Sequence, residues 1–225
     1  MKRWPVLFYL SLITFFGCKS DTNYPFFGYD YFGLTEGKFV EYDVMEIFHD
    51  VNLNPSHDTT FYTLRTVVGE KITDNEGRIA NKIFRYKYDN YTGELLDQRV
   101  WTAIIDQGKG EIIEENQRII RMVFAVSNDK QWDVNVYNPL DEQQANYRDI
   151  HAEKIIGEFI FDSTVVVEYE DFLSLVDYER KYDTYAHNVG LVHRVDKNLT
   201  IANFDTLQIQ YGTEIHYTLK DFGIE

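Results

Sequence analysis

The chain has 225 residues, of which 44% are hydrophobic, 26% charged and 16% aromatic. That leaves room for one well-buried domain or two small ones and excludes collagen-like, low-complexity and Pro/Gly-rich disordered chains. With 22 Lys and Arg against 37 Asp and Glu the formal charge is −15, a balance repelled by phosphate backbones, so no nucleic-acid partner is expected.

At the N-terminus, Lys2 and Arg3 give a positive start, and Trp4 to Gly17 is dominated by Leu, Phe, Ile, Val and Tyr. This stretch is too short for a relaxed transmembrane helix and has the length of the apolar core of a secretory signal. It ends at Phe15-Phe16-Gly17-Cys18, and the polar run Lys19-Ser20-Asp21-Thr22-Asn23 follows at once. Cys18 is the single cysteine, which excludes an intrachain disulfide framework and a zinc site built from several thiolates.

Charge, length, glycine and lone cysteine together resemble the lipobox of bacterial lipoproteins, with Phe15 standing where Leu is usual. The resemblance implies that residues 1–17 are a signal peptide and that Cys18 is the lipidation site, its thiol carrying a diacylglycerol. The membrane is then a partner through that lipid. Several acyl chains, at about 0.8 kcal/mol per buried methylene, make such anchoring effectively permanent. Lys19, not Asp, after the cysteine is similar to the sorting pattern of outer-membrane lipoproteins. It implies an outer-membrane protein facing the periplasm or the cell surface. Residues 18–28 read as a lipidated tether and 29–225 as a single β-rich domain.

Tyr24, Phe26, Phe27, Tyr29, Tyr31 and Phe32 form an aromatic run with two readings. It docks across a barrel mouth or sheet edge, or it meets a partner. The segment Tyr31-Phe32-Gly33-Leu34-Thr35-Glu36-Gly37-Lys38-Phe39-Val40-Glu41-Tyr42 resembles the opening of uncharacterised Bacteroidetes lipoproteins, with Gly33 in place of the usual Pro. Tyr185-Ala186-His187-Asn188-Val189-Gly190-Leu191-Val192 resembles a Tyr-Ala-x-x-Val-Gly-Leu-Val segment of the same proteins. This likeness implies an all-β envelope lipoprotein and brings no established activity.

From Lys38 onward apolar residues alternate with a period of two, the mark of half-buried antiparallel strands. Val40, Tyr42, Val44 and Phe48 share one face. Phe84, Tyr86 and Tyr88 read as a core face opposite Arg85, Lys87 and Asp89. Ile120, Met122, Phe124 and Val126 share another, as do Trp132, Val134 and Val136. The longest alternation puts Leu207, Ile209, Tyr211, Ile215, Tyr217 and Leu219 in the core, with Gly212 marking a bulge or bend. Thr73–Gly77, Asp89–Gly93, Gln107–Gly110 and Val126–Lys130 read as hairpin turns. Leu175, Tyr178, Tyr182 and Tyr185 fit either a helix or an irregular strand. The pattern predicts an all-β fold, a single antiparallel meander of roughly ten strands forming a strongly curved sheet or barrel-like domain.

Chemistry is sparse. No Gly-x-Ser-x-Gly elbow, P-loop or Gly-x-Gly-x-x-Gly occurs, so no catalytic residue and no cofactor is assigned. His49, Asp50, His57 and Asp58 flank one loop and are the metal candidates, against a plain reading as solvated side chains. His193 and His216 lie in alternating strands and read as hydrogen-bonded structural imidazoles. Glu111–Glu115 and Glu168–Asp171 read as solubilising faces. Two function classes follow. One is a non-catalytic binding or envelope-structural module with an envelope protein or glycan as partner. The other is an enzyme or small-ligand/lipid carrier using a cavity in the curved sheet.

Overall fold

The computed structural model describes residues 26–225. The expected signal peptide 1–17, the expected lipidation site Cys18, most of the expected tether and Tyr24 of the aromatic run lie outside the described residues. A short 3-10 turn, Tyr29–Tyr31, is followed by twelve strands. The first six are β1 (Lys38–Asp50), β2 (His57–Thr73), β3 (Ile79–Asp89), β4 (Leu95–Asp106), β5 (Lys109–Glu114) and β6 (Gln117–Val123). The rest are β7 (Gln131–Asp133), β8 (Gln144–Ile156), β9 (Phe159–Leu173), β10 (Asp177–Ala186), β11 (Gly190–Ala202) and β12 (Asp205–Ile224). Among the described residues no α-helix forms, and the segment whose spacing also fitted a helix is β10.

All twelve strands lie in one antiparallel sheet, in the order β6-β5-β4-β3-β2-β1-β12-β11-β10-β9-β8-β7. Two six-stranded meanders are therefore joined along β1 and β12, which pair from Lys38–Ile224 to Asp50–Tyr211. Curvature brings the two edges back together. The Ile120 N–H donates to the Val134 carbonyl at 3.0 Å, and the Trp132 indole N–H donates to the Ile120 carbonyl at 3.1 Å. The result is a nearly closed, barrel-like meander, as the sequence predicts, and closure satisfies backbone groups that an open edge would expose. Val126–Lys130 is not a hairpin, because β6 and β7 on either side of it do not pair. Gly77 and Gly93 do take the positive φ that their hairpin turns need.

Ile120, Met122 and Phe124 enter one buried cluster with Trp132, Val165 and Val167, while Val40, Tyr42 and Val44 enter a second with Tyr62, Val192 and Leu219. Four face assignments change. On β3, Phe84, Tyr86 and Tyr88 form a stacked ladder with centroids 6.4 and 6.3 Å apart. Arg85 and Lys87 instead reach the rings of Trp101 and of the buried Tyr62. Long cationic side chains bury their stems against aromatic walls, so period two identifies two faces without saying which is inside. On β12, Tyr217 and Leu219 are buried and Ile215 is partly so, but Leu207 and Tyr211 stand in solvent. The alternation there continues past the end of the core. Phe48, at the far end of β1, and Val136, beyond the three-residue β7, are likewise exposed.

The aromatic run divides. Tyr31 is fully buried and its hydroxyl lies 2.7 Å from Ser163 Oγ and 2.8 Å from His151 Nδ1. Phe32 packs into the first cluster, and the Asn188 N–H donates to the Asp30 carbonyl at 3.0 Å. The segment docks on the sheet, while Phe26, Phe27 and Tyr29 keep over 40% of their surface exposed.

Candidate functional site

The four metal candidates are only half assembled. His49 on β1 faces His57 on β2 in register, with Nδ1 to Nδ1 at 2.7 Å, so one of the two nitrogens carries the shared proton. His49 Nε2 lies 3.0 Å from Glu214 Oε1. The other Glu214 oxygen receives His216 Nε2 at 3.0 Å and Lys197 Nζ at 2.6 Å. The hydrogen bond from His216, and then Lys197 working against burial, hold the Glu214 carboxyl at about 2. Asp50 turns away to the Asn52 backbone N–H and side-chain amide at 2.9 and 3.0 Å, and Asp58 is exposed. Both nitrogens of His49 are thus committed to protein partners. Among the described residues no group of three or more His, Cys, Asp or Glu is arranged to hold a metal ion. His216 has the hydrogen bond expected of it, whereas the buried His193 Nδ1 has no partner among the described residues.

The other assembly of charged groups lies inside the sheet. A cavity of about 100 Å³ is walled by Phe32, Val40, Trp101, Ala103 and Ile112 and by polar side chains between them. Apolar walls with a few placed polar groups are the combination found at small-molecule sites. Four cations reach it, Lys38, Arg85, Arg121 and Arg194, against one carboxylate, Glu114. A second space shares Arg85 and Trp101 with it, and a third shares Glu114, Arg121 and Arg194. In a chain of net charge −15 the sign of this interior is inverted.

Each cation has different company. Arg194 on β11 forms a fork with Asp183 on β10, Nε to Oδ1 and Nη2 to Oδ2 both at 2.6 Å. Asp183 also receives the Tyr169 hydroxyl at 3.0 Å and the Tyr185 hydroxyl at 3.3 Å. Burial pushes the Asp183 carboxyl up, but the Arg194 charge and its hydrogen bonds outweigh that and hold it below the usual Asp value. Arg121 on β6, buried, pairs through Nη2 with Glu114, while its Nε is buried with no partner among the described residues. Lys38 donates to the Asn188 carbonyl at 2.6 Å. Arg85 on β3 lies 3.7 Å above the Trp101 ring, and its Nη2 is 3.5 Å from the Tyr217 hydroxyl. Among the described residues it pairs with no carboxylate. A cation–π contact in a partly desolvated site is worth about 1–2 kcal/mol and leaves the positive charge formally uncancelled.

Sequence reasoning missed these residues because they come from strands β3, β6, β10 and β11 and leave no local motif. A signal was present all the same. Arg121 interrupts Ile119-Ile120-Arg121-Met122-Val123, Arg194 interrupts Leu191-Val192-His193-Arg194-Val195, and Asp183 sits between Tyr182 and Tyr185. A charge inside an apolar strand is placed against partners or it is costly. Two of the acidic groups read as solubilising are likewise structural. Glu111 is buried against Arg118, and Glu168 pairs with Arg148 and Arg180.

No protein-family model matches the chain, and no curated protein matches it. Among solved structures, the chain is similar to a candidate lipoprotein from Parabacteroides distasonis ATCC 8503. The two are 13% identical, with a TM-score of 0.39 and coverage of 86% of this chain and 98% of that one.

Proposed function

We propose that the chain is a lipid-anchored envelope lipoprotein of the outer membrane whose β-domain is a non-catalytic binding module, taking a small molecule into the interior cavity. The observation that carries the binding reading is the convergence of Arg85, Arg121 and Arg194 from three separate strands on one apolar-walled space. Such groups orient a ligand, and among the described residues neither a nucleophile with its base nor a pair of free carboxylates stands beside them to transform it. The anchor rests on the first eighteen residues, where a short apolar stretch ends at Gly17-Cys18. An envelope protein or glycan that receives or supplies the ligand is the natural macromolecular partner.

Both halves are testable. A fatty-acid analogue fed to cells should label the wild-type chain and not Cys18→Ser; label retained in the variant would remove the anchor. For the cavity, the neutral probe 4-phenylbutan-1-ol should bind the full chain held in phosphatidylcholine nanodiscs. Ala103→Phe, which fills the wall at a buried position, should abolish that binding. Equal binding by both chains would put the probe elsewhere and sink the cavity reading.

A further inference from the structure

Resting on that reading of the cavity, we infer that its ligand is an organic anion, a single carboxylate or equivalent acidic group on an apolar body, with Arg85 as the residue that selects the charge. The acidic groups around this interior have partners: Glu46 and Asp97, which line the second space with Arg85, take the Tyr62 hydroxyl and Arg99. Asp183 is held by Arg194 from two sides and by two tyrosine hydroxyls, and Glu114 is held by Arg121. Those pairs neutralise two of the four cations. Arg85 and Lys38 remain, and of these Lys38 is already turned to a backbone carbonyl.

Arg85 is different in kind. Its guanidinium carbon lies 3.7 Å over the Trp101 ring, and with no carboxylate paired to it among the described residues its donors are open to a fork with a two-oxygen acid. Among the described residues its one near polar contact is a long one, to the Tyr217 hydroxyl. Arg121 contributes a further free donor, the buried Nε. Beyond these donors the walls are apolar, with Phe32, Val40, Ile83 and Ile112 turned to the same space. A ligand that satisfies both parts has an acidic head and a hydrocarbon or aromatic body. A neutral molecule would leave the cation uncancelled in an apolar wall, and a cationic one would be repelled.

The experiment compares three molecules of one shape: 4-phenylbutyrate, 4-phenylbutan-1-ol and 4-phenylbutylamine. Each is titrated calorimetrically into the full chain in phosphatidylcholine nanodiscs, with empty nanodiscs as reference for partition into lipid. The acid should bind at least about tenfold tighter than the alcohol, and the amine weakest. Arg85→Gln should bring the acid down to the affinity of the alcohol while leaving the alcohol within about twofold. Arg85→Lys, which keeps the charge, should retain most of the preference. The wild-type ratio alone decides the ligand class if Arg85→Gln does not fold. An alcohol that binds as tightly as the acid overturns the anion assignment and leaves the cavity reading standing. A preference for the acid that survives in Arg85→Gln overturns the role of Arg85. If none of the three binds, the cavity reading falls as well.

Discussion

Replacing Asp183 by Asn should destabilise the fold by about 3–5 kcal/mol, the usual consequence of removing one partner of a buried ion pair. Asp183 is 1% exposed and accepts both donors of the Arg194 fork together with the Tyr169 and Tyr185 hydroxyls. The amide restores the volume but not the charge, and its NH₂ group points a donor where an acceptor is needed. Arg194 is then a partly buried guanidinium without its counter-ion. The pH dependence has a definite sign. Because the folded carboxyl lies below the ordinary 3.8, it contributes stability that is fully present above that value. The contribution is lost as pH falls through the lower folded value. Urea midpoints measured at neutral pH should separate Asp183→Asn widely from Asp97→Asn, whose carboxylate pairs with Arg99 at the surface. An acid series should show wild type losing its advantage over Asp183→Asn only below pH 3.8. Equal midpoints for the two variants would mean that the interior fork contributes no more than a surface pair.

How much of this was legible depends on what each strand had to hide. Ile120, Met122 and Phe124 are apolar at every second position and buried at every second position, so the simple alternation rule suffices for β6. The same strand also buries Ile119 and Arg121 on its other face, which the rule has no means to express. On β3 the rule found the two faces and exchanged them, because an aromatic ladder covers one and cations threaded onto aromatic rings fill the other. The His49–His57 encounter was legible as two sides of one loop, since a hairpin must bring its flanks together. Their third partner, Glu214, was not, because it arrives from β12, more than 150 residues away. The cavity fails for the same reason. Its cations become neighbours only when two meanders curl toward each other, and closure of a sheet is a property of the whole chain.

Gly212→Ala should be the most damaging of the single-methyl additions, costing about 3 kcal/mol or more in a urea midpoint, from the sum of backbone strain and overpacking. Gly212 is buried, has φ +130°, and a Cβ built on it would lie 2.2 Å from the Asn198 carbonyl oxygen and 2.9 Å from the Leu199 Cα. Both obstacles are backbone atoms of β11, and Leu199 itself is 2% exposed, so neither can swing aside as a flexible side chain would. On its other side Gly212 pairs with His49 in the β1–β12 ladder, which closes the second route of escape. The position also explains where the core ends on β12. A register shift follows on β11 between Thr200 and Ile201; Tyr211, just before it, and Leu207, beyond it, are exposed. The sequence reading placed a bend at Gly212; the stronger requirement is room for a neighbouring backbone. Gly93→Ala provides the comparison. Gly93 has φ +72° and nothing within 4 Å of its virtual Cβ, so its substitution carries only the left-handed backbone penalty of about 1–2 kcal/mol. The difference between the two shifts measures the close approach of β12 to β11. If the two variants lose the same stability, that approach is looser than the register requires, and the pairing of β11 with β12 is not held by packing at this glycine.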